Sequence, residues 1–177
     1  STHQRFITYN IATGEIRERI SGDIGYLFYV DGEFLIQVDD RLLKFEGEDS
    51  KECFSGLSDR VVYVERRDGD YFLIGEDSII PSQSVFSVYK QKSGNYLLGT
   101  VADGVYVMSP SGEIVRKFND KDGLDYTTVL SLTETEIGDI VIGGDGGVTW
   151  IVNNRQLSYY KEPNMKIGAV YTALVWN

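Results

Sequence analysis

Histidine, cysteine and proline are nearly missing from this chain, which has one His, one Cys and three Pro among its 177 residues. A Ser-His-Asp or Cys-His site would have to use His3, a position too close to the first residue to anchor a catalytic base well. Cys53 has no second cysteine for a disulfide, and one His with one Cys cannot complete a zinc site. These shortages exclude the commonest nucleophilic and zinc-dependent enzymes. The single thiol does not identify the cellular compartment, because it is compatible with both a reducing cytosol and the periplasm.

Long apolar runs and an excess of positive charge are also missing. No run approaches the roughly 18 apolar residues that a membrane-spanning helix needs. The chain has 27 acidic and 17 basic residues, for a net charge of −10. Such a chain is a poor partner for nucleic acid, and the basic pairs Arg66-Arg67 and Arg116-Lys117 are too few to change this. No apolar period of 3.6 residues extends over a helical window, so we expect almost no helix.

Aromatic residues and glycine are abundant, with 12 Tyr, 8 Phe and 19 Gly, a composition typical of strands joined by tight turns. Part of the sequence repeats, because Val85–Val88 aligns with Val129–Leu132 at an offset of 44 residues. The same alignment superimposes three pairs of glycines: Gly94 and Gly138, Gly99 and Gly143 and, after a one-residue gap, Gly104 and Gly147. This offset lies within the roughly 40–50 residues of a four-stranded propeller blade.

Each copy of the repeat is predicted to contain four short strands. Val85–Tyr89 alternates between apolar and polar residues, as a half-buried strand does, and turns such as Ser109–Gly112 separate the strands. We therefore predict an all-β chain of β-propeller blades, each a four-stranded antiparallel meander. The blades would form a single partial propeller domain of about four blades, the first and last incomplete. The predicted blade segments are 1–20, 21–58, 59–84, 85–124, 125–168 and 169–177.

One interval breaks the repeat. Gly99 and Gly143 are 44 residues apart, but Gly75 and Gly99 are separated by only 24. The difference equals the length of two outer strands, which are therefore missing after Gly75. Either this blade is naturally short, or a stretch has been omitted or deleted from the chain.

Glycine and tryptophan have predicted structural roles. Gly104 and Gly147 would open the third strand of a blade at a turn with positive φ. Gly99 and Gly143 would end the second strand, where the chain turns sharply between tightly packed blades. The two tryptophans, Trp150 and Trp176, are expected to pack between blades rather than against a substrate.

The sequence predicts no metal site and no cofactor. The acidic stretch Asn119–Asp125 lacks the order of acidic residues and the final Glu of a calcium-binding loop. The glycine-rich stretch Gly143–Gly147 precedes no helix that could bind a phosphate at its positive end.

Three stretches share a pattern that resembles a known repeat. They are Gly56-Leu57-Ser58 followed by Val62 and Gly75, Gly94-Asn95 followed by Leu98-Gly99-Thr100 and Gly104-Val105, and Gly123-Leu124 followed by Val129, Ser131-Leu132, Gly138-Asp139, Ile142-Gly143 and Gly147-Val148. The pattern resembles the two-component regulator propeller repeat. The tryptophan that this family carries in its second strand is replaced here by Phe72 or Leu73, by Leu97 and by Val141.

The resemblance implies a sensory role. Such repeats build the periplasmic sensor region of hybrid two-component systems in polysaccharide-degrading bacteria, where they bind glycan breakdown products and pass the signal through a membrane helix to a histidine kinase. It implies a non-catalytic, periplasmic fragment whose partner is an oligosaccharide or other small glycan. The full-length sensor would be a homodimer, attached to the membrane only through segments outside this sequence.

The candidate ligand site follows from propeller geometry. The loop that leads into the first strand of a blade and the loop between its second and third strands lie on one face, around the axis. Here Tyr126 could stack on a sugar ring, while carboxylate and guanidinium groups bind hydroxyls. The candidate residues on this face are Asp59, Arg60, Asp103, Asp125, Tyr126, Thr127 and Asp145.

Two other functions stay open at the level of sequence. The first is a propeller glycoside hydrolase or polysaccharide lyase, in which Asp59, Asp125 and Asp145 would converge near the axis as paired carboxylates. The second is a generic protein-interaction propeller. In every case the uncovered blade faces and strand edges are expected to pair with further blades, another copy or a neighbour.

Overall fold

A computed structural model describes residues 4–47, 49–77, 79–80, 83–152 and 158–160 of the chain. Sixteen β-strands and one short 3-10 turn lie within these residues, and the strands of every sheet pair antiparallel. This confirms the prediction of an all-β fold with four-stranded antiparallel meanders. The chain divides into two compact units, Ser1–Ser78 and Ile79–Asn177.

The first unit contains three sheets. The first sheet pairs β1 (Gln4–Tyr9) with β2 (Ile16–Gly22), and the third pairs β7 (Val61–Arg67) with β8 (Asp70–Gly75). Between them in sequence lies a four-stranded meander of β3 (Ile24–Val30), β4 (Glu33–Val38), β5 (Arg41–Glu46) and β6 (Asp49–Ser55). The described residues between β8 and the next strand form no outer strands, as the short interval after Gly75 predicts.

The second unit contains two four-stranded meanders. One consists of β9 (Val85–Lys90), β10 (Tyr96–Thr100), β11 (Val105–Met108) and β12 (Ile114–Phe118). The 3-10 turn Asp120–Asp122 follows it. The other consists of β13 (Val129–Glu134), β14 (Ile140–Gly144), β15 (Gly147–Ile151) and β16 (Ser158–Tyr160). The predicted turn at Asn153-Asn154, the predicted strand Ala169–Trp176 and the position of Trp176 lie outside the described residues.

The sequence repeat is also a repeat of strand register. Gly99 of β10 pairs with Ser87 of β9 and with Val105 of β11. Gly143 of β14 has the equivalent partners, 44 and 43 residues further along the chain, in Ser131 and Val148. In both sheets the register shifts by one residue beside this glycine, which leaves one extra residue in the first strand. The same bulge occurs in β3 and β7, so four sheets share one distortion at the start of the first strand.

The two meanders of the second unit face each other across an apolar core. Their first strands, β9 and β13, lie side by side. The core between them contains Leu97, Val105, Val107, Phe118, Leu124, Tyr126, Val129, Ile140, Ile142 and Ile151. Burial of these side chains, worth about 1.5–3 kcal/mol each before the conformational entropy is subtracted, is what holds one sheet against the other.

Close packing explains Gly99 better than a turn does. Gly99 lies within β10 and is not among the residues with positive φ. A Cβ atom at this position would stand 2.5 Å from Val129 Cγ1 and would also overlap the Ser87 hydroxyl. Glycine is therefore required by the approach of the neighbouring sheet. Gly104 and Gly147 do have the predicted positive φ, at 76° and 147°.

In the first unit, each face of the central meander packs against a different sheet. Leu35 and Leu42 face the core shared with β7 and β8 through Val61 and Val64. On the other face Ile36, Val38 and Leu43 pack against Phe6 and Ile20 of the first sheet. The alternation of strand residues thus gives a sheet that is apolar on both sides, as in stacked blades.

A polar network joins the central meander to the third sheet. The Tyr71 hydroxyl donates to Glu33 Oε2 at 2.6 Å, and Lys44 Nζ lies 2.9 Å from Glu33 Oε1. These two donors, the Tyr71 hydroxyl first, lower the pKa of the Glu33 carboxyl. Burial and the bond to Glu33 raise the pKa of Tyr71. Glu33 is therefore ionised at neutral pH and positions the two sheets relative to each other.

Trp150 departs from the prediction that it packs between blades. Its side chain is 42% exposed, and its indole Nε1 donates to Asp139 Oδ2 at 2.9 Å. Asp139 itself is 4% exposed, so a buried carboxylate holds the ring at the surface of its own sheet. Trp150 lies on the face of β15 opposite Thr149 and Ile151, which face the core.

Thr149 provides a stability test of this packing. Its hydroxyl is fully buried and has no hydrogen-bond partner among the described residues. Replacing Thr149 by Val is expected to raise the unfolding free energy by about 1 kcal/mol, because an unpaired buried hydroxyl is removed. Thr100 is equally buried, but its hydroxyl donates to Gly104 O and accepts from Asp103 N. Thr100→Val should therefore cost about 2 kcal/mol in the same urea titration; a stability loss in Thr149→Val would contradict the assignment.

Candidate ligand-binding loops

A pocket opens in the first unit where three loops meet. These are the residues before β3, the turn between β4 and β5, and the loop that leads into β7. The cavity has a volume of about 250 Å³. It is lined by Asp23, Gly25, Gln37, Asp39, Asp40, Leu57, Ser58, Asp59 and Arg60. These are the two kinds of loop on which the sequence predicts the ligand site. One leads into the first strand of a sheet, and the other joins its second and third strands.

A buried glutamine side chain joins two of these loops. Gln37 is 5% exposed, and its Nε2 donates to the carbonyl oxygens of Asp39 and Asp59 at 3.2 and 3.0 Å. Its Oε1 accepts from Val61 N at 2.8 Å. Three of the amide's four hydrogen-bonding directions are thus used inside the protein. Gln37 fixes the width of the pocket by joining the β4–β5 turn to the loop before β7.

Backbone bonds fix the rest of the pocket wall. Asp23 and Asp39 are joined twice, because Asp39 N donates to Asp23 O at 2.8 Å and Asp23 N donates to Asp39 Oδ1 at 3.0 Å. Leu57 N donates to Asp40 O at 2.9 Å. Asp39 has a φ of 55°, a left-handed conformation that Asp tolerates better than most residues. The wall is therefore a set of locked turns rather than a free loop.

Asp59 and Arg60, two of the candidate residues from the sequence, both line this pocket. Asp59 Oδ2 accepts from Asp77 N at 3.3 Å. The same carboxylate occupies the position that a Cβ atom on Gly75 would need. Arg60 is more exposed, and its guanidinium lies 3.6 Å from Asp23 Oδ1. Because the contact of Arg60 with Asp23 is neither short nor bidentate, the Arg60 guanidinium keeps N–H donors for a ligand.

The lining is polar and mostly acidic. Four carboxylates, one guanidinium and the Ser58 hydroxyl surround the space. Carboxylates accept from hydroxyls and guanidinium groups donate to them, so this set suits a polyhydroxylated or amino-bearing ligand better than an anion. Among the residues that the structure describes, no group of three or more His, Cys, Asp or Glu side chains is arranged to hold a metal ion.

The second unit brings its predicted loops together as well. Gly104 N donates to Thr127 O at 3.0 Å, and the Thr128 hydroxyl donates to Val101 O at 2.7 Å. The loop before β13 therefore lies against the turn that carries Asp103. On its other side the same loop contacts the turn of Asp145 through Tyr126, whose Cβ is 3.3 Å from the position of a Cβ on Gly146.

Tyr126 is not available for stacking on a sugar, contrary to the prediction from sequence. Its side chain is 7% exposed and belongs to the core between the two meanders. The ring lies where a side chain on Gly144 would be. Its hydroxyl donates to Ile142 O at 2.8 Å. Because Gly144 and Gly146 have no side chains, they leave a space beside the β14–β15 turn, and the Tyr126 ring fills it.

Asp103 is held by two neighbouring side chains. Lys117 Nζ lies 2.5 Å from Asp103 Oδ1, and the Tyr106 hydroxyl donates to Asp103 Oδ2. These donors, Lys117 first, lower the pKa of the Asp103 carboxyl. Both of its oxygens are thus engaged within the protein. Asp125, Thr127 and Asp145 are exposed side chains on the surrounding loops.

Sequence reasoning missed most of the pocket in the first unit. Asp23, Asp39 and Asp40 were not selected, because the first unit's copy of the repeat is weak and its acidic turns are typical of solvated turns. One signal was present: Asp39-Asp40 separates the second and third strands of its sheet, as Asp103-Gly104 does in the next unit. Extending the repeat to this turn would have placed it on the ligand face.

Comparisons with known proteins show the fold. No protein-family model matches the chain, and no curated protein does. The chain is similar to the crystal structure of an extracellular domain assigned to a hybrid two-component system of B. thetaiotaomicron, with a TM-score of 0.61 and 14% identity. The match covers 85% of this chain but only 24% of that domain, so the chain spans about a quarter of its length. Across the described part of the chain, no helix is long and apolar enough to cross a membrane.

Proposed function

We propose that this chain is part of the extracellular, ligand-sensing region of a hybrid two-component system. The observation that carries the proposal is the pocket lined by Asp40, Asp59 and Arg60, set on the loops at one end of propeller-like sheets. The structural similarity to an extracellular domain assigned to such a system supports it. The propeller repeats suggested by the sequence would continue beyond this chain, and the whole sensor would work in the periplasm as a homodimer coupled to a histidine kinase.

The ligand is a small glycan, such as an oligosaccharide released from a polysaccharide. A volume of about 250 Å³ is just under the roughly 300–1,000 Å³ of small-molecule pockets, so the pocket suits one sugar residue at a chain end rather than a long polymer. Carboxylates, an arginine and backbone groups are the partners that sugar hydroxyls need.

Binding without turnover is the better-supported function. A glycosidase needs one carboxyl whose pKa is raised so that it stays protonated and acts as the acid. Among the residues that the structure describes, cationic or hydroxyl donors lower the pKa of the carboxyls of Glu15, Glu33, Glu46 and Asp103. The similarity to an extracellular domain assigned to a two-component system supports binding, and we propose a non-catalytic domain.

The test is binding to an array of neutral, amino-bearing and uronic-acid oligosaccharides, followed by calorimetry on the best binder. Asp40→Ala and Arg60→Ala remove exposed side chains, while the backbone bonds to Asp40 O and Arg60 O remain. Each is expected to weaken binding about tenfold or more, the cost of one or two lost charge-assisted hydrogen bonds.

Asp125→Ala and Asp145→Ala serve as matched controls, since both remove exposed carboxylates from loops of the other unit. They should leave the affinity within about twofold. Loss of binding in these two variants, with normal binding in Asp40→Ala and Arg60→Ala, would refute the pocket. Release of shorter sugars from the bound oligosaccharide would refute the non-catalytic role.

A further inference from the structure

The first unit carries two exposed apolar patches, and one of them lies on the first sheet. This sheet packs one face against the central meander through Phe6 and Ile20. Strand alternation and register place Ile7, Tyr9 and Ile16 on its opposite face. Each of these three side chains leaves between half and two-thirds of its surface exposed. We call these three residues the back patch.

The other patch lies on the central meander. Leu27, Tyr29 and Phe34 share the face that the first sheet covers, because Leu27 pairs with the covered Ile36 and Tyr29 pairs with Phe34. These three residues are as exposed as those of the back patch. The rings of Tyr29 and Phe34 pack together, with their centroids 4.8 Å apart. We call Leu27, Tyr29 and Phe34 the front patch.

The front patch continues an interface that already exists within the unit. Phe34 pairs with Phe45 of β5, and the Phe45 ring packs against Phe6 of the first sheet with the centroids 5.1 Å apart. A row of aromatic rings therefore runs from the covered part of the face to the exposed Tyr29. The first sheet has two strands and the central meander has four, so part of the face is left uncovered. A contiguous apolar surface of this kind is typical of a contact with another protein surface.

The back patch of a second copy matches the front patch in character and in width. Both patches are apolar and contain tyrosine, and each is carried by two neighbouring antiparallel strands, β1 and β2 or β3 and β4. In a dimer with two-fold symmetry, the back patch of each copy would pack on the front patch of the other. All six side chains would then be buried, and the contact would close on itself without leaving a free patch. Homodimer interfaces are more apolar than other contacts between proteins.

We propose that the back patch and the front patch form the interface of a two-fold dimer of this chain. The inference gives the homodimer of the proposed function a contact surface. It does not rest on ligand sensing, because none of the six residues lines the pocket. Glycan binding in the pocket and dimerisation through the patches can therefore fail separately.

Analytical ultracentrifugation of the unmodified 177-residue chain is the first test. We expect a reversible equilibrium between monomer and dimer that shifts toward the dimer as the salt concentration rises. Salt screens the repulsion between two copies that each carry a net charge of −10, while it leaves the apolar contact intact. A chain that stays monomeric at the concentrations used for NMR, or one that forms open-ended polymers, would overturn the proposal.

Two phenylalanines of the central meander provide matched variants. Phe34→Ser is expected to weaken dimerisation about tenfold or more, because it removes an aromatic side chain from the interface. Phe54 is similarly exposed, but its pairing with Leu42 places it on the opposite face of the same meander. Phe54→Ser should therefore change the dimer affinity by less than about twofold. Equal effects of the two substitutions on the dimer affinity would overturn the assignment of the face.

Paramagnetic relaxation identifies the surfaces that meet, without any substitution in the patches. Ile11 is 90% exposed and lies in the turn between β1 and β2, next to the back patch. A nitroxide is attached to Ile11→Cys in a Cys53→Ser background, and this chain is mixed with unmodified ¹⁵N-labelled chain, so that only contacts between copies broaden the amide signals. We expect broadening at residues 27, 29 and 34. Broadening confined to the second unit, or none in samples that contain dimer, would overturn the proposal.

Discussion

Replacing Tyr126 by alanine is expected to lower the unfolding free energy of the second unit by about 4 kcal/mol. The change removes a ring that is 7% exposed and packed in the core between two sheets, and truncation of a buried aromatic costs about 3–5 kcal/mol. The loss also strips Ile142 O of its donor. Urea unfolding followed by circular dichroism gives the value.

Two variants separate the parts of this effect. Tyr126→Phe keeps the ring and loses only the hydroxyl, so it should cost about 1 kcal/mol. Tyr9→Ala truncates a tyrosine that is 61% exposed and should cost less than about 0.5 kcal/mol. If Tyr126→Ala left stability unchanged but abolished glycan binding, the ring would be a stacking surface after all.

Replacing Gly104 by alanine is expected to cost about 3 kcal/mol. Gly104 has a φ of 76°, a conformation that costs a non-glycine residue about 1 kcal/mol. In addition, its Cβ would overlap the Phe118 carbonyl oxygen, and overpacking against backbone adds about 2 kcal/mol. The residue also donates to Thr127 O, so any shift disturbs the loop before β13.

Gly112→Ala is the matched control for this prediction. Gly112 has a similar φ of 91°, but nothing lies within 4 Å of its would-be Cβ. It should cost only the conformational term of about 1 kcal/mol. Equal losses in Gly104→Ala and Gly112→Ala would mean that the close approach of the chain at Phe118 does not constrain the second unit.

The repeat could be predicted from sequence because glycine is demanded by local geometry. Gly99 marks a position where a neighbouring strand comes too close for a side chain, and Gly104 and Gly147 have positive φ at turns. Such requirements act at single positions, so they survive in the sequence with fixed spacing.

The side chains of the loops could not be predicted in the same way. A tyrosine in a loop can face solvent or fold back, and the direction of Tyr126 is decided by space above Gly144 and Gly146, which only the fold reveals. Trp150 was misplaced for a similar reason, because the buried Asp139 carboxylate that holds it is 11 residues away. The acidic pocket was missed in part because Asp39-Asp40 has the composition of an ordinary turn.

The proposed function depends most on the pocket at the ends of the first unit's strands being the ligand site. The most direct test is a ¹H–¹⁵N NMR titration of the 177-residue chain with the oligosaccharide that binds best in the array. We expect the largest amide shifts at residues 39–40 and 57–61, which line the pocket or adjoin it. Shifts confined to the loops around Asp103, Asp125 and Asp145, or none with any oligosaccharide, would contradict it.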